Sequence, residues 1–428
     1  MNPASLAVQP LANATGDSEK DYLADGLTEY LHGALTGVAA LHVASRGATA
    51  ALFGHSSLAD QGRMLDARAL LDGSVSTLGG VIRVQARLVQ AADGVEYWTE
   101  LLDRRPAQLL QGLHAIVARV LETLGAAPTA REQAALDHVP TTNDRAVDPY
   151  LRARHVSSQI RRTSQDFAIE MYGDAIQADA EFALAHAGIA DAHSMLFAYW
   201  VSTDAHLQAA DHASARAVQL APELAETQLA RGVALSLNKR HDEAEAAFRL
   251  ALELKGNDFD AHYQFARHCR TVGRLVEAAR WFESAARLRP EDYATPALLS
   301  SVYVSLAQPE QARDAQRRAV ELADQRLKRE PDDERALYLG ASCLSSLGDT
   351  SRAREWAKRA VAMEPDDSAV LYNVACVYAL LGLHDSAIDC LERAIQNGFG
   401  HWDWIAHDSD LDPLRAHPRF ATLQTIKA

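Results

Sequence analysis

Apolar and polar positions change period several times along the first hundred residues. The run LAVQPL at residues 6–11, bounded by NATGDSEKD, predicts a short buried strand followed by a turn. YLADGLTEYLHGAL carries the 3.6-residue period of an amphipathic helix, and ALHVAS returns to strand. Strand, helix and strand in that order predict a parallel pair joined by a right-handed crossover. A second helix is predicted from Leu58 to Ala67. The segment LLDGSVSTLGGVIRVQARLVQAADGVEYWTELLDR then alternates, with Gly79-Gly80 and Asp93-Gly94 placed to turn antiparallel hairpins. PAQLLQGLHAIVARVLETL closes an α/β domain at 1–125 as a helix, and APTAREQAALDHVPTTNDRAVD reads as a linker over 126–148.

Beyond the linker the pattern is helical and repeats itself. LAPEL carries Pro222, LKGND carries Gly256 and LRPED carries Pro290, each 34 residues after the last; Pro331 in REPDD and Pro365 in MEPDD are again 34 apart. Aligned on that period, small residues coincide. The repeat from Ala225 places Gly232, Ala244, Phe248 and Ala251 where the next, from Phe259, has Ala266, Ala278, Phe282 and Ala285. Repeats from Glu334 and Ser368 give Ala341, Ala353, Ala357, Ala360 and Ala375, Ala387, Leu391, Ala394. Antiparallel helices approach closely only where side chains are small, while a bulky partner fills the hole beside the crossing. The length and the slots are those of tetratricopeptide repeats (TPRs), about seven of which are predicted over 149–400 as an all-α superhelix, or solenoid.

Two spacings exceed the period. Pro290 to Pro331 is 41, which predicts a second helix about two turns longer in that repeat; Ala180 to Pro222 is 42, with WVSTDAH read as a loop insertion. The segment from Asn397 to Phe420 is predicted to cap the last repeat through Trp402, Trp404, Ile405, Leu411, Leu414 and Phe420, within a capping region at 401–428.

Composition narrows the function classes. A 428-residue chain with 48% hydrophobic and 23% charged residues and only 14 prolines reads as folded and helix-rich. A net charge of −15, spread along the chain, repels phosphate backbones and makes direct nucleic-acid binding unexpected. Cys269, Cys343, Cys376 and Cys390 form no CxxC pair and read as small buried hydrophobes. No stretch approaches the roughly 20 apolar residues of a membrane span, and MNPASLAVQP lacks the build of a signal peptide, so a cytoplasmic protein is expected, or a periplasmic one if the chain is a piece from behind a membrane segment.

Motifs for catalysis or cofactors are missing. Neither GxGxxG nor GxxxxGK[ST] occurs, nor GxSxG, nor HExxH, and no enzymatic activity, cofactor or metal is expected. Asp408, Asp410 and Asp412 imitate the start of an EF-hand loop, but Pro413 stands where glycine belongs and Arg419 where the bidentate glutamate belongs. His262 and His268 lack one-face ligand spacing. Asn13, Thr15, Gly16 and Asp17, after the first strand, are placed where an α/β domain binds a small ligand, although turn residues have the same composition.

The positions of greatest interest lie on the first helix of each repeat. In TPRs the second, fifth, ninth and twelfth positions face the concave groove; here they hold Tyr263, Arg267 and Arg270, then Arg335 and Tyr338, then Tyr372, with Asn373 beside it. Arginine with tyrosine in an acidic protein predicts a locally positive, aromatic groove for a peptide or protein segment bearing carboxylates. The competing expectation is that these arginines pair internally with Asp260, Glu226 or Asp191. The Lys/Asn carboxylate clamp of chaperone-binding TPRs is not matched.

LAVQPLANATGDSEKDYLADGLTEYL, LDGSVSTLGGVIRVQARLVQAADGVEYWTE and the terminal LYNVACVYALLG with HWDWIAHDSDLDPLRAHPRF resemble the bacterial family that joins a TolB amino-terminal-like α/β domain to TPRs. The resemblance runs from about residue 6 to 421. It implies a scaffolding or regulatory protein; in the scaffold reading the α/β domain contacts a second partner or self-associates into a homo-oligomer. In that family the pair often follows an adenylate cyclase, a serine/threonine kinase or a winged helix-turn-helix module, which implies the alternative of a sensory part of a signalling protein whose α/β domain binds a small molecule. None of those modules is in this sequence.

Overall fold

The computed structural model describes residues 4–425. Strands β1 (Ala4–Val8), β2 (Ala12–Asn13) and β3 (Leu41–Val43) alternate with α1 (Asp21–Thr36), α2 (Arg46–Leu52) and α3 (Leu58–Met64) before β4 (Ala69–Leu78), β5 (Val81–Gln90), β6 (Glu96–Arg104) and α4 (Pro106–Leu124). The sheet runs β3-β1-β4-β5-β6, with β2 beside β4; β1 pairs in parallel with β3 and β4, while β4-β5-β6 are antiparallel. Gly79 and Gly80 at φ 59° and 81° form the two-residue turn between Leu78 and Val81, a conformation that side chains with a Cβ resist. The parallel pair and both hairpins are those the periodicity predicts. Helix α2 and the two-residue β2 were not legible, being too short to show a period.

The segment expected as a linker is structured. It carries α5 (Ala130–Asp137), started by a Thr129–Glu132 capping box, and the beginning of α6 (Asp144–Ser157), capped by Asn143. Thr129 and Asn143, polar residues of the expected linker, are here the caps of helix starts. Val147, Tyr150 and Leu151 of α6 join the apolar core of the sheet with Leu27, Leu31, Leu113 and Val117, so the α/β core continues into the first helical pair.

The remaining helices follow in antiparallel pairs: α6 with α7 (Arg162–Ala178), α8 (Ala183–Tyr199) with α9 (Asp204–Leu220), α10 (Ala225–Leu237) with α11 (His241–Leu254), α12 (Phe259–Thr271) with α13 (Leu275–Leu288), α14 (Ala294–Ser305) with α15 (Pro309–Arg329), α16 (Glu334–Leu347) with α17 (Thr350–Met363), and α18 (Ser368–Leu380) with α19 (His384–Gln396). The repeated alanines are their contact points: Ala244, Ala266, Ala278, Ala341, Ala353, Ala375 and Ala387 are all 0% exposed. Helix α15 has 21 residues against 14 for α13, which is the two-turn extension its spacing requires. The other long spacing resolves differently. Helices α8 and α9 are 17 residues each, and Asp204, Ala205 and His206 of the expected insertion lie in α9, leaving only Trp200 to Thr203 between the helices.

Two compact units divide the chain: 1–193 with 209–261 and 288–290, and 194–208 with 262–287 and 291–428. The second contains the C-terminal cap, with α20 (Trp402–His407) and two 3₁₀ segments. Ile405, Leu411 and Leu414 are buried there, and Trp402 and Phe420 pack against the same core. Trp404 departs from expectation: it is 40% exposed, stacked on His401. No helix among the described residues is long and apolar enough to cross a membrane.

Two consequences are measurable. A Cβ on Gly340 would lie 2.3 Å from Trp356 Cζ3, so Gly340→Val is expected to cost about 1–3 kcal/mol in urea unfolding, with partial recovery when combined with Trp356→Leu; unchanged stability would show that the ring moves aside freely. In the first unit, burial pushes the His32 imidazole, 3.1 Å from the Ala44 carbonyl oxygen, down to about 4. Its contribution to stability is present above the ordinary histidine value of about 6.5 and is lost as pH falls towards 4. His32→Gln is expected to flatten the fall in Tm over that window, and identical Tm–pH slopes for the two proteins would refute this.

Candidate functional site

The second unit gathers five of the seven residues expected from sequence to line a groove around a tyrosine that was not among them. Tyr199 ends α8, and the residues on either side of it are held to the far end of the same unit. Trp200 Nε1 donates to Asp367 Oδ2 at 2.6 Å, and Ser368 Oγ donates to the Trp200 carbonyl at 2.9 Å. His401 Nε2 lies 2.9 Å from the Phe197 carbonyl, its ring edge-on to Phe197. Asp367 also accepts from the Ala369 and Val370 amides, so one carboxylate both starts α18 and anchors the end of α8.

Arginines from two other helices converge on the Tyr199 ring. The Arg267 guanidinium carbon, from α12, is 5.2 Å from its centroid, and that of Arg335, from α16, is 6.0 Å. Arg335 Nη2 donates to Tyr263 Oη at 2.9 Å. Tyr263 and Tyr338, 7% and 6% exposed, follow from the same helical spacing, three or four residues from an arginine on one face.

The electrostatics of the cluster are those of excess positive charge. Burial alone raises the Tyr199 phenol, but the fields of Arg267, Arg335 and Arg270 outweigh it and lower the phenol below its usual range. Arg270 is itself lowered, by burial and then by the like charge of Arg267. Burial would lower the partly exposed Arg335 too, yet it is held well above its ordinary value by the oxygens of Tyr263, Tyr199, Tyr338 and Tyr293. Among the described residues none of the three arginines makes an ion pair. The internal partners considered from sequence include two that are engaged elsewhere in the first unit, Asp260 with Arg289 at 3.8 Å and Glu226 with Lys255 at 3.6 Å.

Tyr372 and Asn373 do other work. Tyr372, 5% exposed, donates to Asp408 Oδ2 at 2.6 Å and stacks on Phe399, and Asn373 donates to the Ala369 carbonyl. They belong to the packing of the last repeat and its cap. The reason is that the cap occupies the side of α18 that the preceding repeats leave open. Asp408 also accepts from the Asp410 amide, and its charge and that of Asp412 combine with burial to push Asp410 up to about 6.

Tyr199 escaped the sequence reading because it stands directly before WVSTDAH, the stretch expected to be a loop insertion. The enlarged spacing hides it: α8 starts at Ala183 and α10 at Ala225, so Tyr199, the last residue of α8, falls outside the slots that the 34-residue period marks. In the first unit, the turn after β2 is closed on itself: Thr15 N and Oγ1 both donate to Asn13 Oδ1, and Asn13 Nδ2 donates to the Asp17 carbonyl and to Asp21. Among the described residues no cluster of His, Cys, Asp or Glu has the arrangement of a metal site.

A model of the family described as "Tetratricopeptide repeat" matches residues 225–258, 297–326, 334–367 and 368–397. A curated relative from Rhizobium meliloti (strain 1021), named "Putative adenylate cyclase 3", is 28% identical over 186 residues, 43% of this chain; the chain spans 32% of that relative's length. Solved structures similar to it include YrrB, "a TPR protein with an unusual peptide-binding site" (25% identity, 44% of this chain and 94% of that one, TM-score 0.29), and a thermophilic TPR protein of Thermus thermophilus (20%, 47% and 99%, 0.37). The Cut9 complex with Hcn1 gives 14% identity over 73% of this chain and 53% of that one, with a TM-score of 0.45.

The crowding of charge on Tyr199 is open to titration. Followed by phenolate absorbance, Tyr199 is expected to ionise before the other tyrosines, and Arg267→Gln to delay it while leaving the rest unchanged. A profile without an early component, or one unaltered by Arg267→Gln, would contradict the convergence of charge.

Proposed function

We propose that this chain, which carries tetratricopeptide repeats over its helical part, is a non-enzymatic interaction scaffold that holds an anionic segment of a protein partner in its TPR groove. TPR proteins in general mediate protein–protein interactions. The observation that carries the finer reading is the convergence of Arg267 and Arg335 on the Tyr199 ring, with Arg270 one helical turn from Arg267 in the same field and no carboxylate paired to any of the three. Arginine presents a rigid fork of donors to a carboxylate, and an aromatic floor lends contact area at little entropic cost. Tyr263 and Tyr338 complete the wall, while Tyr372 and Asn373 support it through the last repeat.

A second reading is favoured by the match to the cyclase relative: the chain corresponds to a regulatory part of a signalling protein, with the first unit resembling a TolB amino-terminal domain. In that reading a small molecule binds beside β1, at the loop of Asn13, Thr15, Gly16 and Asp17. A thermal-shift screen of the full chain against small metabolites addresses it. A hit abolished by Asn13→Ala would favour it, and a Tm unmoved by any compound would count against it.

The scaffold reading is tested by affinity capture with the wild type beside Arg267→Ala/Arg270→Ala/Arg335→Ala, followed by mass spectrometry. A partner is expected to be captured by the wild type and reduced at least tenfold with the variant, as loss of about 1.4 kcal/mol or more would give. Identical captures would remove the groove from the explanation.

A further inference from the structure

The arginine cluster is richer in charge than one carboxylate requires. We propose that it recognises a phosphoryl group esterified to a residue of the partner segment, an assignment that rests on the scaffold reading and narrows its ligand. A carboxylate carries one charge on two oxygens; a phosphate monoester carries nearly two on three terminal oxygens. Three guanidiniums supply more fork donors than a carboxylate can accept, and burying charges without partners is costly, so the better match is the ligand with more charge and more acceptors.

Neighbouring carboxylates do not fill that role. Asp408 lies in the field of Arg270 but accepts from Tyr372 and from the Asp410 amide. Asp333 accepts from Tyr293, Arg326 and the Ala336 amide. Asp367 holds Trp200 and the start of α18, and Asp292 accepts from the Thr295 amide and hydroxyl. Glu334, next to Arg335, is only 8% exposed. The oxygens of these four aspartates are fixed by the fold, whereas the guanidiniums of Arg267 and Arg335 are directed at the Tyr199 ring.

The aromatic surroundings and the charge of the whole chain narrow the ligand further. The partly exposed Tyr199 ring offers a face to the group that carries the phosphate, and the buried Tyr263 and Tyr338 back the arginines beside it. A chain of net charge −15 disfavours a long phosphate backbone, so a single esterified phosphate on a polypeptide fits and a nucleic acid does not. Trp200, whose ring lies 5.7 Å from that of Tyr199, places a fluorescent reporter beside the site.

The test uses the full chain and defined probes: phenyl phosphate, with benzoate and phenyl sulfate as monoanions and inorganic phosphate as the unesterified ion, titrated by calorimetry and tryptophan fluorescence. Phenyl phosphate is expected to bind saturably with a Kd of roughly 1 mM or tighter. It should bind at least about tenfold more tightly than the monoanions at pH 8, and weaken towards pH 5 as the ester takes up its second proton near pH 6. Arg267→Gln and Arg335→Gln should each weaken it about tenfold or more, and Arg335→Lys less, with thermal unfolding showing that all three remain folded.

Equal affinity for benzoate, equal affinity for inorganic phosphate, no pH dependence, or binding indifferent to the arginines would each overturn the assignment. Failure here is separable from failure of the scaffold reading. Arginine-dependent capture of a phosphatase-treated partner, without phenyl phosphate binding, would leave the scaffold and remove the phosphoryl specificity. Phenyl phosphate binding with arginine-independent capture would do the reverse.

Discussion

Contact between paired helices at alanine-sized positions is the constraint on which the helical part depends. Where Ala244, Ala278, Ala353 and Ala387 sit fully buried, two backbones come close enough for a large side chain on one helix, such as Phe248, Phe282 or Trp356, to fill the space beside the crossing. Each pair buries one face in this way and leaves the other for its neighbours, which makes every repeat's stability depend on the next. The last pair has no following repeat, and Ile405, Leu411, Leu414 and Leu423 supply the missing surface.

The same rule of unsatisfied faces governs the α/β part. One face of the sheet and α1 are completed by α4 and then by α6 and α7, so Tyr150, Tyr172 and Phe182 belong to one core with Leu6, Leu71 and Val84. Arg154, bonded to Tyr150 and paired with Glu29, carries a charged network through that junction, and Glu29 is held below the usual carboxylate range although burial alone would raise it, because Arg154 and Arg46 flank it. A charge buried among apolar groups is tolerated when its partners are fixed by the packing around it. The stretch between the sheet and the repeats is thereby part of the folded body.

The positive cluster in the second unit contrasts with that network. Other arginines of the unit are paired, such as Arg326 with Asp333 and Arg419 with Glu392, and their charge is used by the fold. Arg267 and Arg335 instead lie over the Tyr199 ring, with Arg267 donating to Gln264 and Arg335 to Tyr263, and the mutual repulsion of the cluster is visible in the lowered Arg270 and Tyr199. Fixing Tyr199 takes the surrounding bonds of Trp200, Ser368 and His401, which give the ring a defined place for the guanidiniums to approach.

The sequence by itself determined what depends on local periodicity. The 34-residue spacing, the small slots, the glycine turn at Gly79-Gly80 and the long α15 are each a matter of which residue stands how far from another, and local geometry converts that directly into structure. It also placed Arg267, Arg270 and Arg335 on one side of their helices. Only the tertiary structure decided which groups meet them. Tyr199 ends α8 while the arginines stand on α12 and α16, and the pattern along one helix does not say how closely stacking brings side chains of separate helices together. For the same reason Tyr372 and Asn373 turned to the cap, and the polar stretch before α6 became helix on an apolar core. A residue's face follows from its own helix, whereas its partner follows from how the helices stack.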